Sequence, residues 1–214
     1  MKRFSAEDIQ NILNNLEEKY PNAHCELNYS SPFELLVATI LSAQCTDKRV
    51  NEVTSELFKK YNKPQDFAIM PQEKLEGLIK SCGFYRNKAT NIIACSNSII
   101  NDFGGIVPNT MEDLVKLAGV GRKTANVVLS EAFKIPAIAV DTHVMRVSNR
   151  IGFIKSDDPH KVEEKLRKII PRDKWSRAHH LFIFLGRYTC HSRKPDCDNC
   201  KIQSYCEAWK KKCF

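Results

Sequence analysis

Four of the nine cysteines crowd into residues 190–206 as Cys190-x6-Cys197-x2-Cys200-x5-Cys206. Four thiolates within one short loop can close around a single centre, either zinc or an iron–sulfur cluster. A zinc ribbon carries paired C-x-x-C units, whereas only Cys197 and Cys200 have that spacing here, so the arrangement favours a [4Fe–4S] cluster. Between the first two cysteines lie the cations Arg193 and Lys194. On a loop held at both ends by ligands they suit a phosphate backbone. The plain alternative is a solvated basic loop.

A second chemical signal is Leu117-Ala118-Gly119-Val120-Gly121-Arg122-Lys123-Thr124-Ala125. Two glycines around one apolar residue permit a tight turn that a ligand can approach closely. The amides of the turn and of the following helix start have no intrahelical partners and face outward as a phosphate site. Gly119, Val120, Gly121 and Arg122 therefore read as DNA-binding, with Val120 anchoring the turn. A bare G-x-G usually marks only a helix connection. Between two good helices and followed by Arg-Lys, it reads as a helix-hairpin-helix element.

Lys123 stands in the first turn of that helix, where a cation is unfavourable. It either swings into solvent or serves as an amine nucleophile. The helix dipole contributes about 0.3–1 kcal/mol, less than the ~1.36 kcal/mol of one pKa unit, so burial or another cation must supply the rest. Asp141, in Val140-Asp141-Thr142-His143, follows an apolar run and precedes a helical pattern. It suits an N-cap, and a fixed carboxylate there can also relay protons. His143 reads as structural.

The elements that must position these groups are helical almost throughout. Ile9, Ile12, Leu13 and Leu16 follow the amphipathic spacing and stop before Pro21. Ser31-Pro32-Phe33-Glu34 has the form of a capping box with proline at the first helical position. It opens a run over 35–41 that is apolar on all sides, a buried central helix. Val50, Val53, Leu57, Phe58 and Tyr61 share one face of a third. Shorter helices follow Pro64 and Pro71, a long one ends at Gly104-Gly105, and others cover 110–117, 122–133, 142–151 and 159–170. Only 135–140 could pass for a strand, and it has no partner. The fold class is all-α.

The bulk composition bounds the rest. With 214 residues, 43% apolar and 27% charged, the chain is an ordinary globular protein. The net charge of +8 favours a polyanionic partner. No apolar run approaches the ~20 residues of a membrane span, and the N-terminus shows no secretory signal. With an odd number of cysteines, that predicts a reducing, cytoplasmic setting.

Taken together, Ser42-Ala43-Gln44-Cys45-Thr46-Asp47, the hairpin, Val140-Asp141-Thr142-His143 and the cysteine spacing resemble the endonuclease III family of helix-hairpin-helix DNA glycosylases, nearly end to end. The resemblance implies two lobes, 24–135 with the hairpin and 1–23 plus 136–214 with the cluster. Between them double-stranded DNA carrying an oxidised pyrimidine or an abasic site is held with one nucleotide flipped out. It implies that Lys123 attacks C1′ and displaces the base, and that β-elimination then cuts the strand. Asp141 assists proton movements, and a structural or redox-linked [4Fe–4S] cluster sits on Cys190, Cys197, Cys200 and Cys206 of a monomer. Gln44 is expected to fill the gap left by the flipped nucleotide and Phe84 to wedge it, although phenylalanine more often lies in a core.

The family typically has proline at Ala118, alanine at Cys45 and a leucine wedge where Phe84 stands. Two rivals remain. One is an adenine-removing mismatch glycosylase, disfavoured by Lys123 and by the eight residues after Cys206. The other is a non-catalytic DNA-binding redox sensor, disfavoured by Lys123 with Asp141.

Overall fold

The computed structural model describes residues 4–212, and Cys213 lies outside them. Among the described residues the chain is helical and contains no strand. The helices are α1 (Ala6–Lys19), α2 (Pro32–Ser42), α3 (Asp47–Leu57), α4 (Pro64–Ala68), α5 (Gln72–Ile79) and α6 (Tyr85–Phe103). They continue with α7 (Met111–Leu114), α8 (Arg122–Glu131), α9 (Thr142–Ile151), α10 (Pro159–Ile169), α11 (Trp175–Tyr188) and α12 (Glu207–Lys211). The chain divides into two compact units, one of Glu26–Ile135 and one of Met1–Cys25 with Pro136–Phe214.

The first unit is organised around α2, whose residues from Phe33 to Leu41 are all buried, as its all-round apolar sequence predicts. It packs against α3, α6 and α8. Each fully buried Leu or Ile here contributes about 1.5–3 kcal/mol. The expected capping box is only half made. Ser31 accepts from the Glu34 amide at 3.2 Å, but the Glu34 carboxylate turns to the amide and hydroxyl of Ser30 at 2.6 and 2.7 Å. Helix α3 ends at Leu57, so Phe58 and Tyr61 lie beyond it rather than on its face. Helix α7 stops at Leu114 instead of continuing to Leu117, because tight turns take over: Lys116 bonds Asp113 and Leu117 bonds Leu114.

The second unit joins both ends of the chain. Ile9, Ile12, Leu13 and Leu16 of α1 enter one core with Val144, Val147 and Ile151 of α9 and Leu181, Phe182 and Leu185 of α11. Arg177 of α11 fastens α1 there. It donates to both oxygens of Glu17 at 2.7 and 2.6 Å and to the carbonyls of Tyr20 and Pro21. Residues 136–140 belong to no strand, although Ala137 to Val140 are buried.

Candidate functional site

The glycine-flanked turn has the geometry its sequence demands. Gly119 sits at φ +76, and a Cβ there would lie 2.9 Å from the Cβ of Asn91. Both conformation and space thus require glycine. Val120 is buried, its amide bonded to the Leu117 carbonyl at 3.1 Å, so it pins the turn. Gly121 is the N-cap of α8 with no side-chain cap, and the first turn of α8 holds no acidic residue. Arg122 and Lys123 occupy that turn instead, and Lys123 is exposed. Any burial of its amine must come from a ligand.

Two further loops of the same unit carry Gln44 and Phe84. Both side chains are exposed, and both residues hold left-handed backbone, at φ 53 and 46. Phe84 is 64% exposed, so it is not a core residue. The loops share a support that sequence reasoning missed. Lys88, 5% exposed, donates its ammonium to the Leu41 carbonyl at 2.8 Å and the Cys82 carbonyl at 2.6 Å. Burial lowers the pKa of Lys88, and the neighbouring Cys45 and Cys82 thiols act in the opposite sense. Phe84→Ala is expected to change stability by no more than about 0.5 kcal/mol, whereas a core phenylalanine would cost about 3–5. Thermal melts and single-turnover assays on a duplex lesion check this. Full activity in the variant would remove the wedge role.

In the second unit, Asp141 is the N-cap of α9, and its Oδ1 accepts from the Val144 amide at 2.8 Å. One turn on, Arg146 donates to the carbonyls of Cys190 and Gly186 and meets His143 Nδ1 at 3.1 Å. Four residues later Arg150 donates to the carbonyls of His191 at 2.6 Å and Ser192 at 2.9 Å. One face of α9 therefore grips the start of the cysteine loop, and its N-terminus presents the carboxylate. A Cβ on Gly186 would come 2.8 Å from that of His143, so α11 lies close against α9 there. Neither arginine was singled out from the sequence. Their i, i+4 spacing after a capping aspartate was the available signal.

Cys190, Cys197, Cys200 and Cys206 all line one cavity. Arg150 Nη1 lies 3.4 Å from the Cys190 sulfur, and the Cys206 thiol donates to the Arg150 carbonyl at 3.2 Å. Burial above all pushes the thiols of Cys197, Cys200 and Cys206 up, Cys200 to about 11, and the charge of Cys190 pushes each the same way. Four converging thiols, three of them raised by burial, form a donor set that a bound cation would complete. The soft sulfur donors and the adjacent guanidinium fit an anionic iron–sulfur group. Arg193 and Lys194 are exposed on the intervening loop, Lys194 at φ 50.

Residues 37–172 match the model of the HhH-GPD superfamily base excision DNA repair proteins. The chain is 51% identical to endonuclease III of Bacillus subtilis (strain 168), over 98% of this chain and 96% of that protein. To endonuclease III of Escherichia coli (strain K12) it is 46% identical, over 92% of this chain and 93% of the other. Among solved structures, a trapped endonuclease III–DNA covalent intermediate, an estranged-adenine complex, aligns with a TM-score of 0.93 and 50% identity. It covers 98% of this chain and 99% of that one. A non-covalent endonuclease III–DNA complex aligns equally well.

Proposed function

Because the chain belongs to the endonuclease III branch of the HhH-GPD superfamily of base excision DNA repair proteins, we propose that it excises oxidised pyrimidines and then cuts the strand at the abasic site. One observation carries the reading. A structural neighbour sharing nearly its whole fold has been caught covalently joined to DNA, and this chain offers an exposed amine, Lys123, just after its glycine turn.

A damaged base must first leave the stack, at a cost of a few kcal/mol. Gly119, Val120, Gly121 and Arg122 hold the backbone through amides and charge, while Gln44 and Phe84 occupy the opened step. Lys123 Nζ then attacks C1′. The C1′–N bond breaks, and the base leaves with that electron pair. Loss of the remaining ammonium protons and opening of the sugar give an imine between Lys123 and C1′. Removal of a proton from C2′ expels the 3′ oxygen and cuts the strand, and water then releases Lys123. Asp141 assists the proton transfers. Cys190, Cys197, Cys200 and Cys206 would hold a [4Fe–4S] cluster, which supplies a rigid tie and one-electron chemistry when bound. Arg193 and Lys194 on its loop contact phosphate.

A duplex with a single thymine glycol tests the reading. Wild type is expected to release the base and nick the strand in one reaction. Asp141→Asn should slow turnover by about 100-fold, the lower range for proton-transfer groups. Asparagine caps helices as well as aspartate, so melting temperature and duplex affinity should stay nearly unchanged. If only melting temperature falls, Asp141 is solely a cap. Absence of base release on every oxidised pyrimidine would refute the proposed activity.

A further inference from the structure

The reaction above leaves two thiols unused beside the DNA-facing loops. Cys45 is partly exposed in the turn between α2 and α3, its amide bonded to the Ser42 carbonyl at 3.1 Å. Cys82 is 1% exposed in the 3-10 turn Lys80–Cys82, which packs against α3. Lys88 ties the two segments together: its ammonium donates to the Cys82 carbonyl at 2.6 Å and to the carbonyl of Leu41, just before the Cys45 turn, at 2.8 Å, and the Cys45 and Cys82 side chains interact. The remaining described cysteines outside the 190–206 loop, Cys25 and Cys95, lie in different surroundings, Cys95 buried within α6.

We infer that Cys45 and Cys82 form an oxidisable dithiol, a modification site for hydroperoxides whose disulfide form withdraws Gln44 and Phe84 from duplex opening. The functional half of this inference rests on the DNA-facing roles given to those residues above. Cys45 attacks first, because it is the accessible thiol of the two. Burial and the Cys45 charge push the Cys82 thiol up to about 11, which keeps it protonated until the second step. With hydrogen peroxide, the Cys45 sulfur takes one oxygen as the O–O bond breaks, and the other oxygen leaves as water. Cys82 then attacks the sulfenic sulfur. An S–S bond forms, the S–O bond breaks, and the expelled oxygen leaves as water with the Cys82 proton. Two thiols lose two electrons and one peroxide becomes two waters.

An S–S bond of about 2.05 Å is much shorter than a thiol–thiol contact, so closing it draws the loops together. Gln44 adjoins Cys45, and Phe84 follows Cys82 by two residues. Both hold left-handed backbone that tolerates little adjustment. Lys88 is bonded to both segments, so a shift of either one is felt at its ammonium.

The test uses the full-length protein with its cysteine centre loaded. Graded hydrogen peroxide, thiol blocking and peptide mapping should yield a Cys45–Cys82 linked peptide. Cleavage of the thymine-glycol duplex should fall at least about fivefold, the low end of ordinary coupling between sites, and dithiothreitol should restore it. Cys45→Ala and Cys45→Ser should keep their activity under the same doses. Absence of the linked peptide overturns the inference, as does equal inactivation of the Cys45 variants, which would put the damage at residues 190–206. A reduced wild type inert on lesion DNA would instead sink the proposed function, while the mapping still decides whether the dithiol closes.

Discussion

Lys123→Ala is expected to abolish borohydride-dependent trapping on lesion DNA and to lower strand cutting by at least about a thousandfold, roughly 4 kcal/mol of barrier at 1.36 per decade. Removing the nucleophile elsewhere costs still more, about 10⁶-fold. Hydride adds to the carbon–nitrogen double bond of an imine and leaves a stable amine link, so wild type becomes fixed to DNA. A chain without the amine has no such bond to reduce. Unfolding cannot mimic the result. Lys123 is exposed, and removing a cation from the positive end of α8 should stabilise the helix by about 0.3–1 kcal/mol. The variant should therefore melt no earlier than wild type and still bind duplex DNA. Equal trapping by both proteins would transfer the nucleophile to another residue.

Cys197→Ala is expected to strip the protein of iron and inorganic sulfide and to bleach its brown colour. The cavity lined by the four cysteines would keep only three of its sulfur donors. Apart from the 3-10 turn Gln203–Tyr205, the 190–206 loop has little regular structure of its own. Its other ties include the Arg146 and Arg150 bonds to the backbone at Cys190, His191 and Ser192, the Lys19 bond to the Asn199 carbonyl and the buried side chain of Ile202. Thiolate metal sites contribute about 10 kcal/mol or more to folding in small domains. Even a loss of about 5 kcal/mol would lower the melting temperature by about 10 °C or more in a chain of this size. Duplex affinity should fall as Arg193 and Lys194 lose their aim. Metal analysis giving one zinc and no sulfide in wild type would replace the cluster with a zinc site.

What the sequence disclosed is tied to features that act locally. The uniform apolarity of α2 marks a buried helix wherever it is packed. Asp141 caps α9 through an amide three residues away, and Gly104 ends α6 in the left-handed conformation its type favours. Helix α11 escaped notice for an equally local reason. Its N-cap is Lys174, without a capping side chain, and its buried face mixes His179 and Gly186 with the apolar residues, which blurs the pattern. The fasteners were hidden because their partners are distant in the chain. Arg177 reaches Glu17, Arg150 reaches Ser192, and Lys88 reaches Leu41. Such pairings exist only after folding. Phe84 shows the converse: residue frequencies place phenylalanine inside, yet a left-handed position after Gly83 leaves it outside.

Helix α8 begins with two cations and no acid, the reverse of what helix stability prefers. The two cations lower helix stability slightly and leave at this spot a face suited to phosphate. Selecting this protein for heat resistance would push in the wrong direction. The easiest gains would come from carboxylates at the start of α8, and each would repel the backbone of the strand to be mended. A sturdier molecule obtained that way would be a poorer repair tool.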